Sequence, residues 1–109
     1  MALEFEWDER KNQSNRRKHG IWFEEAQQVF DDAHAFVFLD REHSKDEDRF
    51  IILGFSASNR ILVVVYCERP RGTRIRIISA RKATKKEIQS YEEGIWFLEN
   101  ERQKESLRF

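Results

Sequence analysis

One cysteine, one proline and four glycines among 109 residues rule out several kinds of protein at once. A lone Cys67 cannot close an internal disulfide, so a small disulfide-stapled scaffold is excluded. The glycines are scattered, leaving no glycine-rich loop to cradle phosphates, and nucleoside-triphosphate chemistry is not expected. No repeat, low-complexity stretch or Pro/Gly/Ser-rich linker divides the chain, which is read as one domain over 1–109. The longest apolar run, Ile61 to Cys67, is about a third of what a membrane-spanning helix needs. The first residues include Glu4, Glu6, Asp8 and Glu9, the reverse of a secretory signal's basic start. With the single thiol, this predicts a cytoplasmic protein. The histidines His19, His34 and His43 fall in different elements, and no His/Cys/Asp/Glu set has ligand spacing, so neither metal nor cofactor is expected.

What the chain has instead is aromatic and charged. Fourteen aromatics and a hydrophobic fraction of 39% argue for a packed core despite 37% charged residues. The net charge of zero hides a strong segregation. Residues 1–59 carry eight Lys/Arg against thirteen Asp/Glu, a net of −5. Residues 60–85 carry eight (Arg60, Arg69, Arg71, Arg74, Arg76, Arg81, Lys82, Lys85) against Glu68 alone, a net of +7, and residues 86–109 carry four against six. A basic block of that density attracts a polyanion. Solvated strand-edge arginines, or an acidic protein partner, would account for the same charges.

Leu3 to Trp7 alternates apolar and polar, the period of a half-buried strand. Asp8 can cap a polar helix that ends at Gly20, with Arg16, Arg17, Lys18 and His19 crowding its C-terminal turn in accord with the helix dipole. That helix has no apolar stripe, so contacts at its ends must hold it. Trp22, Phe23, Ala26, Val29 and Phe30 share one helical face and predict a core helix over 22–30. Ala35 to Asp40, Arg49 to Ser56, Ile61 to Cys67 and Arg74 to Ser79 read as strands, joined by the polar loop His43 to Asp48 and by turns at Ala57-Ser58-Asn59 and Pro70-Arg71-Gly72. Connections this short make an antiparallel meander. Thr84-x-x-Glu87 is a capping box for a last helix whose apolar stripe is Ile88, Tyr91, Ile95 and Leu98. The class is therefore α+β: a sheet meander packed against N-terminal helices, with a C-terminal helix that the residues from 94 to 109 extend.

The chemistry resides in the basic block. Alternation puts Arg74 and Arg76 opposite Ile75 and Ile77, while Arg69 and Arg74 flank one turn and Arg60 begins the preceding strand. Planar guanidinium forks suit phosphodiester oxygens and can stabilise charge that develops on phosphorus without a metal. RNA brings its own nucleophile, the 2′-hydroxyl, so such a site needs only an acid, a base and cations. Glu68 is the sole acid within the block, and His19 is the histidine placed to titrate near neutrality. Each has a plain structural alternative, Glu68 as an ion-pair partner and His19 as a helix-end cap. Cys67, at the end of a buried strand, is read as an inert thiol.

In order, the motifs are Phe5-Glu6-Trp7-Asp8, Lys11-x-x-x-Asn15-x-x-Lys18-His19-Gly20, Phe23-Glu24-Glu25-Ala26, Val29-Phe30-Asp31-Asp32, His43-Ser44, Arg60 through Tyr66, and Arg74 through Thr84. This string resembles the BrnT toxins, partners of BrnA antitoxins, from about Leu3 to Tyr91. The resemblance implies a RelE-like fold, a metal-independent endoribonuclease that cuts mRNA and arrests translation, and neutralisation by a ribbon-helix-helix antitoxin. It also implies that promoter DNA is bound only through the toxin–antitoxin complex. The matching polar positions are Lys11, Lys18, His19, Arg60, Arg69, Arg76, Arg81 and Tyr91. Together with Glu68 and Arg74 from the basic block, the expected catalytic set is Lys18, His19, Arg60, Glu68, Arg76 and Arg81, and the expected RNA-binding set is Lys11, Arg69, Arg74 and Tyr91. The chain departs from the pattern at Ala33-His34, where relatives carry proline, at Cys67, where threonine is common, and in the tail from Gly94 to Phe109. The rival readings are a catalytically silent module that grips RNA or only its antitoxin, and a scaffold for an acidic protein.

Overall fold

The computed structural model describes residues 3–44, 48–69 and 73–94. The elements run β1 (Glu4–Glu6), α1 (Glu9–His19), α2 (Phe23–Ala26), a 3-10 turn (Gln27–Asp31), β2 (Phe36–Leu39), a second 3-10 turn (Arg41–His43), β3 (Arg49–Phe55), β4 (Ile61–Glu68), β5 (Arg74–Lys82) and α3 (Lys85–Glu93). The strands form one sheet in the order β1-β5-β4-β3-β2. The expected meander from β2 to β5 is antiparallel throughout, and β1 closes the far edge by running parallel to β5.

Both faces of the sheet are covered, which is why β4 is apolar and buried from Ile61 to Cys67 rather than alternating, with only its last residue, Glu68, exposed. On one face Ile52, Leu62, Val64, Tyr66, Ile75, Ile77 and Ala80 pack against Ile21, Phe23, Ala26 and Val29. On the other, Ile51, Leu53, Ile61, Val63 and Val65 meet Phe36, Phe38 and, from α3, Ile88 and Tyr91. Tyr66 pairs with Ile77 and Val65 with Ser79, so Ile78 is an extra residue on β5. This bulge resets the alternation. As a result Ala80 faces α2, and Arg81 lies on the α3 face together with Arg74 and Arg76.

Helix α1 begins and ends as its sequence predicts: the Asp8 carboxylate accepts the amides of Arg10 and Lys11, and Gly20 closes it with φ 77°. Its anchor differs from the expectation of contacts at the ends. Asn12 and Asn15, one turn apart, are buried in mid-helix. Asn12 Oδ1 accepts the Phe23 amide at 2.7 Å, and its Nδ2 donates to Glu24 at 2.9 Å. Asn15 Nδ2 donates to the carbonyls of Ile21 and Ala80, both at 2.8 Å, while its Oδ1 accepts the Ala80 amide at 3.1 Å. The Asn15 carboxamide thus does for Ala80 what a peptide of a neighbouring strand would do, continuing the sheet edge beyond β1.

The predicted core helix over 22–30 is shorter and tighter than expected. Only Phe23–Ala26 is α-helical, followed by the 3-10 turn, and Trp22 is not in the core but 44% exposed. Its backbone is extended (φ −81°, ψ 146°), so its side chain leaves the helical stripe. The same segment clamps the β3–β4 turn. Glu25 accepts from Ser56 Oγ at 2.7 Å, Gln28 from the Ala57 amide at 2.9 Å, and Asp32 from the Phe55 amide at 2.9 Å. Gly54 permits this close approach, since a Cβ there would stand 3.1 Å from Ala35 Cβ and 3.3 Å from the Val29 carbonyl.

The capping box of α3 is present, and the helix closes at Gly94 in left-handed conformation. The expected continuation through Ile95 and Leu98, the 95–109 tail and the Pro70-Arg71-Gly72 turn lie outside the described residues.

Replacing Asn15 by Ala removes the partners of three buried backbone groups at once. Each orphaned group costs about 1–3 kcal/mol, so denaturant unfolding should show a loss of about 3 kcal/mol or more. Gln13→Ala, on the exposed side of the same helix, should stay within about 0.5 kcal/mol.

Candidate functional site

Strand β5 carries the basic residues, and the structure divides them between its two ends. At its start, Arg74 aligns with Glu4 and Arg76 with Glu6 across the parallel β1 pairing. Arg69 donates to Glu6 at 3.1 Å and Arg74 to Glu4 at 2.8 Å, with Arg74 Nε 3.6 Å from Glu6. The predicted meeting of Arg69 and Arg74 is realised, the Arg69 amide donating to the Arg74 carbonyl at 2.9 Å. Two carboxylates offset much of that cluster's charge. Arg76 makes no ion pair among the described residues. It stands beside Cys67, which in turn aligns with Arg49, so the two guanidinium side chains flank a buried thiol on one sheet face. The sequence places Arg49 at the start of a strand and not among the candidate site residues. Its strand alternation with Ile51 and Leu53 places it on that face, but its cross-strand partner is not readable locally.

At the other end of β5, Arg81 is buried and joined by two hydrogen bonds to Glu87 of α3, Nη1 to Oε1 at 2.7 Å and Nη2 to Oε2 at 2.9 Å. The capping-box glutamate therefore has a second role that the motif does not announce. Arg60 pairs with Glu25, its Nε donating at 2.9 Å. That guanidinium holds the Glu25 carboxyl below the usual carboxylate range, with the Ser56 hydroxyl adding to the effect and Lys82 nearby. The C-terminal turn of α1 arrives at the same corner because Asn15 ties the helix to Ala80. There His19 is held below the ordinary histidine value by partial burial, then by the adjacent positive charges of Lys18 and Arg81. Lys18 and Lys82 are exposed at this corner.

The sequence-predicted residues consequently do not form one constellation. Lys18 and His19 reach the far corner of β5, where Arg81 lies on the α3 face of the sheet and Arg60 meets Glu25 on the α2 face. Glu68 aligns with Ile75, six residues before Arg81 and so about 20 Å away along the strand, in the neighbourhood of Arg69 and Arg76. Lys11 is exposed in the first turns of α1. Tyr91 turns inward: its hydroxyl donates to Asp32 at 2.5 Å and its ring packs edge-on to Phe36 and Phe55. Burial and the Asp32 carboxylate push its phenol up to about 12. Among the described residues no group of three or more His, Cys, Asp or Glu side chains sits together as a metal site would require.

Comparison with known proteins agrees with this architecture. A family model described as the ribonuclease toxin BrnT of type II toxin–antitoxin systems matches residues 7–87. The crystal structure of the Brucella abortus ribonuclease toxin BrnT is similar at TM-score 0.59 and 26% identity, covering 77% of this chain and all of that one. No curated protein sequence matches.

Two pH dependences follow from the corner. An NMR titration of the His19 ring should give a midpoint below the ordinary 6.5, and Lys18→Ala should raise it toward that value. Glu25, whose folded-state pKa is depressed, contributes stability that is present above the ordinary glutamate value and lost as pH falls through its lower folded value. Denaturation midpoints taken from about pH 6 down to about pH 3 should therefore fall less steeply in Arg60→Gln than in the parent chain.

Proposed function

The chain belongs to the BrnT family of ribonuclease toxins of type II toxin–antitoxin systems, and on that premise we propose that it is a metal-independent endoribonuclease acting at the corner where His19 meets Arg81. The observation that carries this reading is the placement of His19, half-buried at the end of α1 with the charges of Lys18 and Arg81 near it. Burial and those two cations lower its pKa from the ordinary histidine value, which favours the neutral imidazole that a general base needs. The substrate supplies the nucleophile. His19 accepts the 2′-hydroxyl proton as the 2′ oxygen attacks the adjacent phosphorus. The bond to the 5′ oxygen breaks, and that oxygen leaves with a proton from the imidazolium so formed or from Lys18. The products are a 2′,3′-cyclic phosphate and a 5′-hydroxyl, with no external reactant.

The cations have different tasks in this scheme. Both terminal nitrogens of Arg81 are engaged by Glu87, so Arg81 acts through its charge, lowering the proton affinity of His19 and stabilising the negative phosphoryl oxygens. Arg60, Lys18 and Lys82 line the path of the phosphate. Arg74 and Arg76, about 15–25 Å away along β5, and Arg69 beside them bind the RNA backbone beyond the scissile bond, and Glu68 serves there as an ion-pair partner rather than as the acid. Lys11 extends the electropositive surface along α1, and Tyr91 supports the sheet through Asp32. We assign the substrate as mRNA, the consequence as arrest of translation in the cytoplasm, and the antitoxin as a BrnA-like ribbon-helix-helix protein through which promoter DNA is reached.

A second reading, a silent RNA- or antitoxin-binding module, draws on the carboxylate partners of Arg60, Arg69, Arg74 and Arg81. Cleavage of a defined RNA by antitoxin-free protein in EDTA separates the two. On our reading cutting persists, His19→Gln lowers kcat by about 10²–10⁴-fold, and Arg76→Ala raises KM with kcat little changed. Intact RNA, free or ribosome-bound, with undiminished binding would establish the silent module instead.

A further inference from the structure

Trp22 breaks two local rules together. It occupies the N-cap of α2 without making a side-chain cap hydrogen bond, at a position where Ser, Thr, Asp or Asn is preferred. It also leaves a large aromatic ring 44% exposed. The backbone beneath it is unusually well held. Ile21 and Phe23 on either side are fully buried, the Ile21 carbonyl accepts from Asn15 at 2.8 Å, and the Phe23 amide donates to Asn12 at 2.7 Å. The Trp22 carbonyl itself accepts the amides of Glu25 and Ala26. The indole is thus projected outward from a rigid support.

Its surroundings are basic. The Arg16 guanidinium carbon lies 5.8 Å from the ring centroid, and Arg16, Arg17 and Lys18 are all exposed in the last turn of α1. Trp22 follows His19 by three residues, across the Gly20 cap. A rigid exposed aromatic among backbone-binding cations is the arrangement by which proteins hold unpaired nucleotides, because every base offers a π-face to stack.

We propose that Trp22 is a stacking platform for one unpaired base of single-stranded RNA, with Arg16 backing the ring and Arg17 and Lys18 taking the flanking phosphates. The proposal rests on the ribonuclease reading and adds to it a substrate form: the strand entering the His19 corner must be unpaired beside the scissile bond. It also assigns the misplaced tryptophan a use that folding does not supply.

The test compares Trp22→Ser, which restores a favourable cap residue, with Trp22→Phe, which keeps a ring. The probe is a short 2′-O-methyl oligoribonucleotide, which cannot be cleaved, used single-stranded and as a duplex. Trp22→Ser should bind the single strand roughly 5- to 100-fold more weakly, with a Tm equal to or above that of the parent. Trp22→Phe should stay within about threefold, and the duplex should bind with the same weak affinity to all three proteins. Unchanged single-strand affinity in Trp22→Ser, while the parent still cuts RNA, overturns the platform and leaves the ribonuclease reading intact. The same result with loss of antitoxin affinity makes Trp22 a protein contact and also overturns it. A parent chain that neither binds nor cuts RNA overturns both.

Discussion

The Asn15 carboxamide is the contact on which the arrangement depends. Helix α1 is almost wholly polar and gains little by burying a face, so its position cannot come from the hydrophobic effect that places α2 and α3. Three hydrogen bonds from one buried side chain, joined by those of Asn12, lock it to the edge of β5 and to the turn that follows it. Each such bond contributes only about 1 kcal/mol net, but its loss leaves a buried peptide group unsatisfied, and that asymmetry makes the anchor stringent. Every feature of the corner follows from it. His19 comes to lie where the charge of Arg81 reaches it, and Trp22 is held outward between two immobilised neighbours.

Charge is organised by the same logic of paired neighbours. The basic excess of the β4–β5 region is real along the chain, but in space it is largely met by carboxylates from elsewhere: Glu4 and Glu6 from β1, Glu25 from α2, Glu87 from α3. The surface left to attract a polyanion is therefore narrower than the composition implies, centred on Arg76 at one end and on Lys18 and Lys82 at the other. The buried pair of Arg81 and Glu87 gains specificity from its geometry rather than stability outright, since desolvating two ions offsets much of their attraction. It fixes a positive charge beside His19 whatever the exposed lysines do.

Much of the fold was legible because its signals are local. The caps at Asp8, Gly20 and Thr84-x-x-Glu87, the apolar run of β4 and the turn at Ala57-Ser58-Asn59 each depend on residues within a few positions of one another. The parallel seat of β1 against β5 was not legible, because strand partners across a sheet carry no mark of one another. The burial of Asn12 and Asn15 in a polar helix expected to be held at its ends was not legible, since their partners lie up to 65 residues away. Trp22 fitted an apolar stripe by spacing and left it because its backbone is extended. The site was legible as residue types and not as a constellation: Glu68 and His19 are both in the basic context expected of them, at opposite ends of one strand.

The most direct measurement is the position of the bound phosphate. A short 2′-O-methyl RNA carrying a nitroxide on its central phosphate, titrated into isotope-labelled protein, broadens the resonances nearest that phosphate. Broadening greatest at Lys18, His19 and Lys82 is the predicted result. Broadening greatest at Arg69, Arg74 and Arg76, with the His19 ring unaffected, would contradict the account and move the chemistry to the opposite end of β5.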